Sequence, residues 1–150
     1  MRPILAFFAL LASTVLASAS GGIDCAANDT DVEFSLHGGI TRGMGSPIFA
    51  LDARVAVNDR AFSNDLRSTD FKAEHVAQYW LDDKDLRLVV YRERAGDKPH
   101  GYVELVIYSR AAGDEISYDG TYELTIYDVV SDNSDPREAK FAGKVGCSVE

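Results

Sequence analysis

The fold of this chain is decided by stretches of strict alternation, and the clearest is Thr121-Tyr122-Glu123-Leu124-Thr125-Ile126-Tyr127. Apolar and polar side chains alternate along it, which is the two-residue period of a β-strand with one face buried and the other in water. A helix of this length would scatter the same apolar side chains around its surface. The stretch therefore predicts a strand whose inward face carries Tyr122, Leu124 and Ile126.

The same alternation recurs along the chain, so the prediction extends from one strand to a sheet. Further strands are predicted around 32–36, 49–57, 86–90, 103–107 and 139–149. Between them lie segments rich in Gly, Asp, Asn and Pro, residues that interrupt strands and form turns. We expect an all-β fold, an antiparallel β-sandwich of about seven strands, with an up-and-down β-barrel as the alternative.

Residues 58–81 are compatible with two conformations. Asn64-Asp65 is suited to capping a short helical turn, and the apolar residues that follow could form one stripe of a helix. The later part of the segment also alternates, however. We therefore favour a strand over 75–81 that pairs with 86–93 across a turn at 82–85.

Residues 1–19 have the organisation of a secretory signal peptide. Arg2 gives a positive start, an apolar run follows from Ile4, and Ala17 and Ala19 supply the small side chains of a cleavage site. The apolar run is shorter than the roughly 20 residues that a spanning helix needs. We expect cleavage after Ala19, a single β domain over 20–150, no stable membrane anchor after cleavage, and a periplasmic or extracellular location.

The chain has two cysteines, Cys25 and Cys147, which lie near the two ends of the predicted domain. An exported chain reaches an oxidising compartment, where such a pair is usually bridged. The C-x-x-C spacing of redox-active thiols is absent from the sequence. We therefore predict a structural disulfide between Cys25 and Cys147.

The net charge and the absence of known motifs argue against several classes of function. A formal net charge of −9 disfavours nucleic acids and anionic lipid surfaces and leaves proteins and neutral glycans as partners. The run from Gly38 to Gly45 lacks the lysine of a phosphate-binding loop, and the three histidines lack the spacing of metal ligands. The sequence therefore predicts no catalytic residue, no metal ligand and no cofactor. A small hydrolase with a carboxylate or Ser/His site and a barrel carrying an apolar ligand remain as alternatives.

The most informative feature for function is a set of tyrosines on the predicted outer face. If the three strands around 86–127 form a meander, two rows of side chains meet in the core: Leu88, Ile107, Tyr122 and Val90, Leu105, Leu124. The opposite face then carries Tyr91, Tyr102, Tyr108 and Tyr127 together with Glu104. Tyrosine is enriched at binding surfaces, although cross-strand packing would also account for it. We expect a non-enzymatic exported domain that binds a protein or a glycan through this face.

Overall fold

The structure is a computed structural model that describes residues 20–41, 48–82, 84–114, 116–131 and 134–150. The signal peptide predicted at 1–19 lies outside the described residues. So does the tip of the glycine-rich loop at 42–47. Within the described ranges, none of the helices is long and apolar enough to cross a membrane.

The described chain forms one antiparallel sheet of nine strands. The strands are β1 (Ser20–Asn28), β2 (Val32–Thr41), β3 (Ile48–Val57), β4 (Ser68–Lys72), β5 (Val76–Leu81), β6 (Asp85–Glu93), β7 (Gly101–Ala111), β8 (Ser117–Asp128) and β9 (Arg137–Val149). Their order is β4-β3-β2-β1-β9-β8-β7-β6-β5. Strands that follow one another in sequence are therefore neighbours in the sheet, and the pairing of β1 with β9 curls the sheet until it is nearly closed.

The predicted class, all-β with antiparallel pairing, is confirmed. The strands number nine where the sequence suggested about seven, and they follow the up-and-down order of the alternative arrangement. Alternation alone does not distinguish the two arrangements, because both pack the inward faces of strands against each other.

Strand β1 was not predicted. Gly21 and Gly22 weaken its alternation, although Ile23, Cys25 and Ala27 are buried at every second position. Strand β2 also continues farther than expected, through Gly38 to Thr41. Glycine lacks the side chain on which an alternation argument depends, so both differences arise at glycines.

The uncertain segment contains a short helix, α1 (Asn64–Arg67), and two short strands. Ser63 occupies the N-cap of α1, and β5 pairs with β6 as predicted for 75–81. Only a 3-10 turn, Ala73–His75, separates β4 from β5, and this turn contacts both β3 and β6. Strand β4 pairs with β3, whereas β5 pairs with β6. We therefore describe β4 and β5 as one interrupted strand that changes partner halfway.

The inward faces of the strands fill the interior. The predicted core rows are confirmed, since Leu88 pairs with Ile107 and Ile107 with Tyr122, while Leu105 pairs with both Val90 and Leu124. All six of these side chains are at most 2% exposed. A closed sheet of about eight strands is just wide enough for side chains to fill it.

The predicted disulfide is present between Cys25 and Cys147, with an S–S distance of 2.05 Å. The two residues are directly opposite each other on β1 and β9, with their Cα atoms 4.1 Å apart. These strands come from the two ends of the described chain. The disulfide therefore fixes the one strand pair that joins residues distant in sequence.

Candidate binding face

Three of the four predicted tyrosines pack against one another on the outer face of β6–β8. The rings of Tyr102 and Tyr127 stack with their centroids 5.5 Å apart, and Tyr91 lies 5.3 Å from Tyr102. His100 lies 5.5 Å from Tyr127. All three tyrosines are half-buried. This arrangement is the cross-strand packing that stabilises a sheet, so much of the aromatic surface is already occupied.

The hydroxyl of Tyr91 is also engaged, because it donates a hydrogen bond of 2.7 Å to Glu93. Burial and this hydrogen bond raise the pKa of Tyr91 to about 12. Glu104, the fifth predicted residue, is half-buried on β7 between Tyr91 of β6 and Thr125 of β8. The structure thus places Glu104 beside the tyrosine stack.

The fourth predicted tyrosine, Tyr108, belongs to a different and more open group. It pairs with Arg87 of β6, which pairs with Trp80 of β5. Trp80 and Tyr108 are 57% and 54% exposed, the two largest values among the described aromatic side chains. We call Trp80, Arg87 and Tyr108 the outer aromatic row.

A groove of about 280 Å³ lies along the outer aromatic row, with Gln78, Tyr79 and Val89 also in its lining. The indole N–H of Trp80 donates to the carboxylate of Asp82 over 3.1 Å. Asp82 in turn accepts backbone hydrogen bonds from Lys84 and Asp85, which hold the turn. These contacts fix the polar edge of the indole and leave its ring surface open to solvent.

Trp80 was absent from the predicted binding face, although the sequence contained a signal for it. Once 75–81 is taken as a strand paired with 86–93, the positions opposite Arg87 and other polar residues of β6 must point outward. The register that places Trp80 opposite Arg87 is regular from Leu81 to Gln78 and follows from the turn at 82–85, while the bulge lies farther along, between Val76 and Gln78. Trp80 was missed because the predicted face included only the three strands from 86 to 127.

A second depression of about 470 Å³ adjoins the row on the side of β7 and β8. Its floor is Gly120, where a Cβ atom would lie 1.9 Å from the carbonyl oxygen of Tyr108. Charged side chains surround it, with Arg110 donating to Asp85 over 3.0 Å. The outer aromatic row is therefore bordered by hydrogen-bonding groups.

A cleft of about 200 Å³ at the opposite end of the sheet is lined by Asp65 and Arg94, and behind it lies the buried Asp128. Arg94 donates to Asp65 over 2.9 Å and to Asp128 over 2.7 Å, and the backbone N–H of Ser63 also donates to Asp128. The side chains of Arg94 and Asp128 are 4% and 0% exposed. These contacts tie the helix α1, the loop after β6 and the end of β8 together.

The pKa shifts in this cleft all favour charged forms. Burial by itself raises the pKa of Asp128 and of Asp65, but hydrogen bonds outweigh it and lower both values. Those bonds come from Ser63 and Arg94 for Asp128, and from Arg94 and Lys98 for Asp65. Burial likewise opposes the charge of Arg94, yet the hydrogen bonds to Asp128 and Asp65 raise its pKa. An acid–base catalyst at neutral pH needs a pKa close to 7, so this cluster fits a structural role and gives the hydrolase alternative no support.

The interior offers the apolar-ligand alternative no support either, because it is filled by side chains with almost no exposure. Among the described residues, no group of three or more His, Cys, Asp or Glu side chains is arranged to hold a metal ion. Comparison with protein-family models, with curated proteins and with solved structures finds no match. The outer aromatic row is therefore the described feature that bears most directly on function.

Proposed function

We propose that this chain is an exported, non-enzymatic binding protein whose partner contacts the outer aromatic row. The observation that carries the proposal is the exposure of Trp80 and Tyr108 on the same face, on either side of Arg87. Large aromatic side chains and arginine are the residues that contribute most to binding surfaces. Export to the periplasm or the medium agrees with the Cys25–Cys147 disulfide.

Of the two partner classes, the arrangement favours a neutral glycan over a protein. Neighbouring strands lie about 4.8 Å apart, so Trp80 and Tyr108, two strands apart, are separated by roughly 10 Å. Each ring can pack against the apolar face of a sugar, while Arg87 between them donates hydrogen bonds to hydroxyl groups. The net charge of −9 disfavours an anionic glycan through long-range repulsion.

The proposal is tested by titrating the protein with neutral oligosaccharides of glucose, mannose and N-acetylglucosamine. Trp80 is the only tryptophan of the chain, so its fluorescence reports on the row directly. We expect at least one of the oligosaccharides to change this fluorescence in a saturable way. We expect calorimetry to show that Tyr108→Ala and Trp80→Ala each weaken binding by about tenfold, which corresponds to 1.4 kcal/mol.

The matched control is Val130→Ala, which shortens an exposed apolar side chain beyond the end of β8. It should leave the affinity unchanged. The proposal fails for glycans if no oligosaccharide binds, or if Val130→Ala weakens binding as much as Tyr108→Ala does. Unfolding curves of the variants must coincide with that of the wild type, since a change there would point to folding and not to contact.

A further inference from the structure

The interrupted strand leaves part of the sheet without a partner. Strand β4 pairs with residues 52–56 of β3, so the beginning of β3, from Ile48 to Leu51, has β2 as its only strand partner in the described chain. Strand β5 pairs only with β6 within the same residues. Because the 3-10 turn contacts both β3 and β6, these two unpaired edges border one opening. We call this opening the β3–β5 seam.

Exposed apolar side chains are concentrated at the β3–β5 seam. Six large hydrophobic residues of the described chain are exposed, and Phe49, Tyr79 and Trp80 lie on the two edges. Tyr79 is the most informative of them. It pairs with the fully buried Leu88 and so lies on the inner face, yet it is 39% exposed. An inner-face side chain is exposed to this extent only where the neighbouring strand is missing.

The edge of β5 also lacks most of the features that protect such strands. Natural edge strands carry charged residues or proline, which discourage pairing with another chain. Val76–Leu81 reads Val-Ala-Gln-Tyr-Trp-Leu, without a charge or a proline. Its one protective feature is the bulge between Val76 and Gln78, which leaves Gln78 to Leu81 as a regular edge. The gap between β4 and β6 is different, because the guanidinium of Arg92 on β6 donates a hydrogen bond of 2.5 Å across it to the carbonyl oxygen of Asp70 on β4.

We propose that the β3–β5 seam binds an extended segment of a partner protein, which pairs with β5 and completes the sheet. Backbone hydrogen bonds would then provide affinity, and alternate side chains would provide specificity. The inward side chains of the segment would be apolar, to pack on Tyr79, and the outward ones would be polar. The acidic chain and the uncharged edge select a neutral or basic segment over an acidic one.

A lone segment suits this seam better than a second copy of the chain. Strand β5 of a second copy would bring its own β6 along its other side. That strand would have to occupy the space next to Phe49 and the start of β3. An extended segment has both edges free, so it can pair with β5 without bringing a further strand into the seam.

The test uses synthetic peptides of alternating valine and threonine with lysine, glutamine or glutamate at their ends. A fourth peptide, in which alternate valines are replaced by proline, cannot form a strand pair. We expect the lysine and glutamine peptides to change Trp80 fluorescence and to slow amide exchange in β5. We expect the glutamate and proline peptides to bind at least tenfold more weakly. Binding of the proline peptide at equal strength would overturn the proposal.

Two variants separate this site from the glycan proposal. Phe49→Lys places a charge at the β3 edge of the seam and should reduce peptide binding at least tenfold. It should leave oligosaccharide binding unchanged, because Phe49 lies outside the lining of the groove along the outer aromatic row. Tyr108→Lys should do the reverse, because Tyr108 lies two strands from the seam. If no peptide binds and sedimentation shows a dimer that Phe49→Lys dissociates, the occupant is a second copy and the proposal is wrong. It is equally wrong if no peptide binds and the protein is monomeric.

Discussion

At the scale of single residues, the backbone of Ala50 is the clearest departure from what the sequence favours. Its φ is 50°, and it lies where the register of β2 and β3 shifts between His37 and Gly39. Such bulge positions normally hold glycine, because a Cβ atom makes the left-handed conformation costly by roughly 1–2 kcal/mol. Ala50 is solvent-exposed, so its side chain contributes little packing to offset this cost.

We therefore predict that Ala50→Gly raises the free energy of unfolding by about 0.5–1 kcal/mol. The matched control is Ala56→Gly, at an exposed position of the same strand with ordinary strand geometry. There the substitution should lower stability by about 0.5–1 kcal/mol, because glycine gains more freedom on unfolding. Urea denaturation of both variants measures the two signs. Equal losses at the two positions would contradict the left-handed conformation of Ala50.

Tyr122 is a second residue whose role depends on one contact. It is buried, its ring packs edge-to-face on Phe34 at 5.2 Å, and its hydroxyl donates to the carboxylate of Asp29. Gly143 opposite it leaves the necessary space, since a Cβ there would lie 2.7 Å from the tyrosine ring. The hydrogen bond from Tyr122, followed by those from the backbone of Val32 and Asp31, lowers the pKa of Asp29.

We predict that Tyr122→Phe lowers the free energy of unfolding by about 1 kcal/mol at neutral pH. A carboxyl whose pKa is depressed by folding stabilises the native state above its unfolded pKa, and this stabilisation is lost as the pH falls through the folded pKa. The difference between wild type and variant should therefore be constant above about pH 4 and shrink below it. Urea denaturation at several pH values checks this. A difference that persists unchanged in strong acid would contradict the Asp29 contact.

At the scale of elements, Arg94 connects segments that no strand pairing joins. Besides Asp65 and Asp128, its guanidinium donates to the carbonyl oxygens of Pro99 and Val129. A buried ion pair adds little stability over an apolar pair of the same shape, but removing one partner leaves the other as an unpaired buried charge. If Arg94 is removed, Asp128, whose side chain is fully buried, becomes that unpaired charge.

We predict that Arg94→Leu lowers the free energy of unfolding by about 3–5 kcal/mol. The double variant Arg94→Leu with Asp128→Asn should recover a large part of this loss, because no fully buried charge then lacks a partner and the part-exposed Asp65 keeps its ion pair with Lys98. A double-mutant cycle by urea denaturation at neutral pH measures the coupling. Independent, additive losses would show that the two side chains do not form the pair described here.

The elements differ in how well the sequence predicts them. The meander of β6, β7 and β8, with its core rows, follows from alternation because each position there has a side chain that is clearly apolar or polar. The buried pairing of Arg94 with Asp128 does not follow from alternation, since Arg94 lies just after β6 and Asp128 at the end of β8, 34 positions apart in the sequence. Trp80 is missed for a different reason, because the predicted face was limited to the strands from 86 to 127 and Trp80 lies on the neighbouring strand β5.

At the scale of the whole molecule, the disulfide is the main constraint on the unfolded chain. It joins residues 122 positions apart, and closing a loop of this length is worth about 4–5 kcal/mol in chain entropy. The predicted disulfide follows from two cysteines in a chain that begins with a predicted signal peptide. The sequence does not predict that Cys25 and Cys147 lie directly opposite each other on β1 and β9, because the apolar–polar alternation of β1 is too weak for this strand to be recognised.

We predict that replacing both cysteines with alanine lowers the free energy of unfolding by up to about 4–5 kcal/mol and leaves the circular dichroism spectrum that of an antiparallel sheet. The comparison of wild type and variant by urea denaturation gives the value. A helical spectrum in either protein would contradict the fold. No change in stability would contradict the role assigned to the disulfide.

We propose that the partner binds the outer aromatic row and not the packed tyrosines beside it. A two-dimensional amide NMR spectrum, recorded while the neutral oligosaccharides are added, distinguishes the two surfaces residue by residue. We expect the Trp80 indole signal and the amides of Arg87 and Tyr108 to shift, while those of Tyr102 and Tyr127 stay in place. Shifts confined to Tyr102 and Tyr127, or no shift with any oligosaccharide, would contradict it.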